Sequence, residues 1–157
     1  METRQPNSRY CFICGVDNPL GLHIKFYETG VGEVSAECTV PKEFQGYPGV
    51  VHGGVVAALL DEISGRSQMG DKNDLRFMFT ARLEVRYRKN VPVEQPLRLV
   101  GKAGVRKERA AKAKGAIYSM EGTLLAEADT LLVNVPEALI SSIDLEALGW
   151  KVYPEDT

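Results

Sequence analysis

A chain of 157 residues with 44% hydrophobic and 25% charged residues lies in the ordinary range of a globular protein, most simply one domain with its own core. No apolar run approaches the roughly 18 residues of a membrane span, and three cysteines make no disulfide framework. A net charge of −2, with few aromatics among the basic residues, argues against nucleic acid as a partner.

Residues 1–9 are polar and lack the apolar core of a signal peptide. They read as a short flexible arm before a single domain at 10–157, in a cytoplasmic protein. Cys11-x-x-Cys14 reads as a tight turn into Gly15 that holds small buried thiols. Two alternatives stay open. One is half of a zinc site, with His23 and Cys38 as further ligands, although the second close ligand pair of such sites is missing. The other is a redox pair, although no βαβ pattern surrounds it. No metal and no cofactor is expected.

Residues 22–29 and 34–40 alternate apolar and polar side chains around Gly30-Val31-Gly32, the pattern of a hairpin. A loop over 41–51 then leads to His52-Gly53-Gly54 and a run that is helical by composition and spacing. At a helix start, the first N–H groups have no partner within the helix and carry the positive end of its dipole. Glycines there let a substrate oxygen approach the backbone, so the Gly53 and Gly54 amides suit an oxygen that turns negative in acyl transfer.

At about 100° per residue, Val55, Val56, Leu59, Leu60 and Ile63 form one apolar stripe. Asp61 points nearly opposite, on a face shared with Gly54, Ala57, Ala58, Ser64, Gly65 and Gln68. Small residues there admit a second backbone. Glu62 sits at the flank of the stripe, four residues before Arg66, and a surface ion pair accounts for it. Asp61 is therefore the candidate acid or base. It lies roughly 10–12 Å along the axis from the glycine donors, too far for one acyl group to touch both. Two such helices, antiparallel about a two-fold axis, bring the donors of one beside the acid of the other. The expectation is a homodimer, or a dimer of dimers, with composite sites.

Turn chemistry at 70–74 ends the helix. Strands are expected at about 81–91, 97–107, 110–121 and 124–135 as a four-strand meander, then a helix at about 137–148. The fold class is α+β, an antiparallel sheet covering one long helix. Residues 82–114 hold eleven Lys or Arg against three Glu, a net +8 within a chain of net −2. Such a face is commonly just solvated. Arg88, Lys89, Arg106, Lys107 and Arg109 are nonetheless candidates to meet phosphates.

Three segments resemble one family. They are Gln45-Gly46-Tyr47-Pro48-Gly49-Val50-Val51-His52-Gly53-Gly54 with Asp61 nine residues past the histidine, Cys11-Phe12-Ile13-Cys14-Gly15 with Asn18-Pro19-Leu20-Gly21-Leu22, and Phe79-Thr80-Ala81-Arg82-Leu83. Over residues 10–135 the chain resembles the hotdog-fold acyl-CoA thioesterases, most nearly the PaaI-like branch. The resemblance implies a helix wrapped by an antiparallel sheet, in dimers whose sheets join. It implies Asp61 as nucleophile or base, the Gly53 amide as oxyanion donor and Thr80 as an assisting hydroxyl, with His52 beside them. Several relatives carry Asn six residues before the histidine, where this chain has Gly46. Gln45, Gly46 and Gly54 are carried as substrate-binding candidates. The activity implied is hydrolysis of an acyl-CoA, with no membrane partner. Alternatives are an acyl-CoA-binding protein without turnover and an enoyl-CoA hydratase or dehydratase. The latter chemistry wants an acid/base pair, and His23 and His52 are the only histidines.

Overall fold

The computed structural model describes residues 1–70 and 74–157. Its elements are β1 (Thr3–Arg4), β2 (Tyr27–Gly30), β3 (Glu33–Thr39), α1 (Gly53–Ser67), β4 (Met78–Tyr87), β5 (Pro96–Arg106), β6 (Ala110–Ser119), β7 (Leu124–Asn134) and α2 (Glu137–Ile140), with a 3₁₀ turn at Lys42–Phe44. The strands form one seven-stranded antiparallel sheet in the order β1-β2-β3-β5-β6-β7-β4. α1 packs against β3, β4, β5, β6 and β7, so the sheet wraps the helix in the hotdog arrangement. Of the turn expected at 70–74, residues 71–73 lie outside the described ones.

The α1 stripe is buried as its spacing requires: Val56, Leu59, Leu60 and Ile63 are at most 1% exposed. They meet Phe26, Val34, Leu97, Leu99 and Ile117 in one core. The helix comes down to backbone contact at two places. A methyl group on Gly101 would overlap the Ile63 carbonyl oxygen, and one on Gly115 would stand 2.7 Å from Ser64 Oγ and 3.1 Å from Leu60 O. Glycine at these positions sets the helix–sheet spacing. It also corrects the expected helix face, because Ser64 (0% exposed) and Gln68 (2%) are buried. Gln68 Nε2 donates to Lys112 O at 2.7 Å and to Gly104 O at 3.2 Å. Beside Asp61 the open face keeps Gly54, Ala57 and Gly65, while Ala58 packs partly against the core.

The four-strand meander is also corrected. β5, β6 and β7 follow one another, but β4 pairs with β7 at the sheet edge, while β5 pairs with β3. β4 suits an edge because only Leu83 and Val85 among residues 79–87 are half-buried, with the rest exposed. In the first hairpin, strand β2 begins only at Tyr27. Residues 22–26 bond elsewhere, with Leu22 N–H to Phe12 O, Ile24 N–H to Ile13 O, and Phe26 O accepting from Gln5 N–H.

That pairing overturns the flexible arm. Thr3 and Arg4 join the sheet against β2, and Gln5 and Asn7 are 3% and 1% exposed. The Asn7 side-chain amide donates to Cys14 O at 2.7 Å and Ile24 O at 2.9 Å, spending polar groups that composition suggested were solvated. The C-terminal helix is shorter than expected, four residues instead of twelve. Ser141 and Ser142 turn their hydroxyls back to Ala138 O and Leu139 O, and Asp144 Oδ1 accepts from the Glu146 and Ala147 N–H groups. These side chains compete with helix propagation.

Gly101→Ala should destabilise the protein by about 1–3 kcal/mol, because the helix must lift or shift. Urea unfolding should show a lower midpoint with an unchanged slope. A midpoint equal to that of the unaltered chain would contradict the backbone contact.

Candidate active site

The approach to α1 is braced before the helix begins. Gly46 N–H donates to Val50 O, Val50 N–H to Tyr47 O, and Gly49 between them takes a φ of +79°, which glycine adopts readily. The Gln45 side-chain oxygen accepts from Gly49 N–H at 3.1 Å. Val51 N–H bonds Val91 O and Val93 N–H bonds Gly49 O, which ties the loop to the segment after β4. Gln45 thus holds the turn, and Gly46 lies against His52, where an added methyl would make van der Waals contact 3.4 Å from its Cα.

His52 is the N-cap of α1. Its Nδ1 accepts from Gly54 N–H at 2.9 Å, so the ring is neutral at that nitrogen and carries its proton on Nε2. Its carbonyl accepts from Val55 and Val56 N–H. The expected donor pair is therefore corrected to one: Gly54 N–H is taken by the histidine. Among the described residues the Gly53 N–H has no partner. It stands at the positive end of the helix dipole, unencumbered by a side chain.

Gly53 lines a cleft of about 450 Å³ together with Gly46, Val50, His52, Tyr87, Arg88 and Lys89. The Tyr87 hydroxyl donates to Gly53 O at 2.7 Å. No motif or spacing in the sequence singles out Tyr87. Its distance from Gly53, 34 residues along the chain, leaves no local signal.

Farther along the helix, the Thr80 hydroxyl donates to Asp61 Oδ1 at 2.5 Å. A bulge places Thr80 there: the β4–β7 register runs Thr80↔Leu132 and then Arg82↔Leu131, leaving Ala81 unpaired. Such an extra residue re-aims the side chains beside it. Asp61 is half-buried and Thr80 is exposed, so the pair opens to the outside of the protomer. Gly53 and Asp61 belong to one unbroken helix. Eight residues at about 1.5 Å each separate them by about 12 Å.

Glu62 accepts from Arg66 Nε at 2.9 Å, as its spacing suggested, but this is not a surface pair. The Arg66 side chain is 1% exposed. Its guanidinium lies 4.1 Å from the centre of the Phe26 ring and 5.5 Å from that of Trp150, and Nη1 donates to Pro6 O at 2.8 Å. Cys11 and Cys14 lie beside Glu62, whereas the other two ligand candidates do not join them. His23 Nε2 is bonded to Asn18 O, and Cys38 sits in β3 opposite Leu97, where burial pushes its thiol up to about 12. Between the paired thiols, the hydrogen bond from Cys11 draws Cys14 below the ordinary thiol range, and the same bond with burial pushes Cys11 up.

The basic candidates separate into two groups. Arg88 and Lys89 stand on the cleft beside Gly53, with Arg88 3.3 Å from Glu127. Arg106 lines a depression with Arg66, Ser67 and Gln68 at the far end of α1, and Lys107 and Arg109 flank the β5–β6 turn beyond it. One protomer does not bring the two groups together.

The sequence profile of the thioesterase superfamily matches residues 48–126, which contain Gly53, Asp61, Thr80 and Arg88. The chain belongs to the thioesterase superfamily. A solved structure of another thioesterase superfamily protein is 30% identical, with a TM-score of 0.73, covering 80% of this chain and 61% of that one. The chain thus spans about three-fifths of that relative's length. Two more distant structures share the fold of this thioesterase superfamily member. The PaaI protein of the E. coli phenylacetic acid degradation operon aligns at 11% identity and TM-score 0.65, over 73% of this chain and 80% of its own. A Streptococcus mutans protein bound to acetyl CoA aligns at 18% and 0.64, over 71% and 88%. No curated protein matches the chain. No helix among the described residues is long and apolar enough to cross a membrane.

Glu62→Gln leaves the buried Arg66 guanidinium without its carboxylate. It should lower stability by about 1–3 kcal/mol, the usual penalty for an underpaired buried group. Chemical denaturation measures this, and an unchanged midpoint would return Glu62 to the class of surface pairs.

Proposed function

We propose that this thioesterase superfamily member hydrolyses an acyl-CoA to the free acid and CoA. The observation that carries the reading is the bond from Thr80 Oγ1 to Asp61 Oδ1 on an open, small-residue helix face. It fixes a carboxylate where a second backbone can arrive. The Gly53 N–H supplies the complementary half, a donor for the oxygen that becomes negative as the thioester carbon is attacked. Because about 12 Å divides them on one helix, the working site takes Gly53 from one copy and the Asp61–Thr80 pair from the other.

Two features support that assembly. β4 is a ten-residue open edge, and it carries Phe79 at 50% and Tyr87 at 55% exposure. Long unpaired edges with exposed aromatics are templates for joining another chain. The antiparallel arrangement also addresses the divided basic residues. It sets the Arg106–Arg109 turn of one copy toward the Gly53 cleft of the other, where Arg88 and Lys89 already stand. Phosphate groups of CoA are suited to such clustered guanidinium and ammonium groups. The acetyl CoA bound in the Streptococcus mutans relative supports a ligand of this class.

In the reaction, the Asp61 carboxylate either attacks the thioester carbon or takes a proton from the water that does. The carbonyl oxygen gathers charge against the Gly53 N–H. The tetrahedral species then expels the CoA sulfur, which takes up a proton. When water has attacked, the acid leaves at once; when Asp61 has attacked, a water must first hydrolyse the acyl anhydride left on its carboxylate. Thr80 holds the carboxylate in one orientation, and His52 keeps Gly54 N–H occupied so that the helix start stays open in one direction.

Asp61→Asn should reduce kcat by about 10²–10⁴ with substrate binding largely kept, since it retains size but removes the base or nucleophile. Thr80→Ala should fall between that variant and the unaltered chain, and Glu62→Gln should stay close to full turnover per folded molecule. Release of free thiol from a panel of acyl-CoAs measures all three. An active Asp61→Asn protein would remove the hydrolase reading and favour an acyl-CoA-binding module. Oxygen-18 appearing in Asp61 after a single turnover identifies direct attack by the carboxylate.

Assembly has its own check. An added methyl on Gly65 meets nothing within 4 Å in the protomer, so Gly65→Leu should leave the fold intact. It should crowd a second helix, lowering the mass seen by light scattering and the activity together. A fully active monomer would refute the composite site.

A further inference from the structure

Away from the Asp61 face, the described residues bring together one set of metal-ligating atoms. Cys11 Sγ, Cys14 Sγ and a Glu62 carboxylate oxygen all lie within 4.8 Å of one another, with Cys14 buried and the other two half-buried. The turn that carries the thiols is built around one sulfur. Ile13 N–H and Cys14 N–H both point at Cys11 Sγ, at 3.4 and 3.5 Å, and Gly15 N–H closes on Cys11 O at 2.8 Å. A methyl on Gly15 would stand 2.6 Å from Cys11 N and 2.7 Å from Tyr10 C, so the chain doubles back as tightly as glycine permits. Two backbone N–H groups thus converge on the Cys11 sulfur and fix its position beside Cys14.

We propose that Cys11, Cys14 and Glu62 bind a zinc ion that fastens the Cys11–Gly15 turn to α1, one residue beyond Asp61. Ligands about 2.0–2.3 Å from a tetrahedral zinc stand about 3.3–3.8 Å apart. The three atoms, all within 4.8 Å of one another, therefore need to close by at most about 1–1.5 Å. Two soft thiolates with one carboxylate select zinc over calcium or magnesium, which take oxygen donors. Ser8 Oγ, 3.7 Å from Cys14 Sγ, is the neighbouring oxygen for a fourth position. Charge also closes. Two thiolates and a carboxylate bring three negative charges, zinc brings two positive ones, and Arg66, 2.9 Å from Glu62 Oε1, brings the third. The other Glu62 oxygen is left for the ion. Binding breaks two S–H bonds, forms two Zn–S bonds and sends both protons to solvent, with no change of oxidation state.

The test uses the full chain, purified under reducing conditions, stripped with a chelator and supplied with zinc in slight excess. It should retain one zinc per chain after gel filtration and release up to two protons per ion in weakly buffered solution. Zinc should raise the melting temperature, and the chelator should lower it again. Cobalt in place of zinc should show the intense near-ultraviolet absorption of thiolate-to-cobalt charge transfer. Cys38→Ser, in the third cysteine on β3, should keep that absorption. Cys11→Ser, at the half-buried member of the pair, should lose it. Because a serine variant in this turn can misfold, the unaltered chain carries the decision. A folded, reduced chain that keeps no zinc, or binds cobalt without the thiolate absorption, overturns the proposal. Unchanged metal content in a folded Cys11→Ser protein overturns it equally.

Discussion

α1 rests on the sheet at backbone distance, and the remaining features follow from that contact. At Gly101 and Gly115 the sheet offers no side chain, so Ile63 O, Leu60 O and Ser64 Oγ come down directly on it. A helix held this close cannot roll, because rotation would drive a side chain into the sheet. Its other faces are thereby fixed in direction. One presents Asp61 to Thr80 and to the outside, and another presents Glu62 and Arg66 to the N-terminal segment. A looser helix would blur the distinction between them.

Much of this was legible in the sequence because helix and strand periods are short-range properties. The α1 stripe, the five long strands and the ion pair between Glu62 and Arg66 all rest on spacings of a few residues. What escaped depends on which segments meet across the chain. Pattern alone cannot say that β4 closes against β7 instead of β5, since both neighbours offer alternating strands. The N-terminal residues looked solvated because Gln5, Asn7 and Arg4 are polar, yet Asn7 satisfies two buried carbonyls. Composition counts polar groups and does not show their partners. The bulge at Ala81 likewise has no signature in Phe79-Thr80-Ala81-Arg82-Leu83; only pairing with β7 reveals the residue left over.

The candidate site was read in part for the same reason. His52, Gly53 and Gly54 are consecutive, so the helix start could be reasoned from capping alone, and the structure refines it by assigning Gly54 N–H to His52. The basic residues could be counted but not placed. Arg88 and Arg109 carry the same charge, and only the course of β4, β5 and β6 puts one beside Gly53 and the other at the opposite end of the helix. The third atom near the two thiols was invisible for a further reason. Glu62 lies 51 residues from Cys11 and already had a sufficient local explanation in Arg66.

Adjacent carboxylates then acquire different work from a rotation of about 100°. Asp61 projects from a face of glycine and alanine, where its only described side-chain partner is a hydroxyl on a strand edge. A hydroxyl orients a carboxylate without cancelling its charge, which is what the proposed hydrolysis asks of this group. Glu62 turns toward a buried guanidinium held between Phe26 and Trp150. There the charge is compensated by a fixed neighbour, and the side chain is committed to joining the helix to the segment before β2. Exchanging the two residues would preserve composition and net charge, but it would put the shorter side chain beside Arg66 and the longer one beside Thr80. Each carboxylate would then miss its partner, because reach as well as direction separates the two roles.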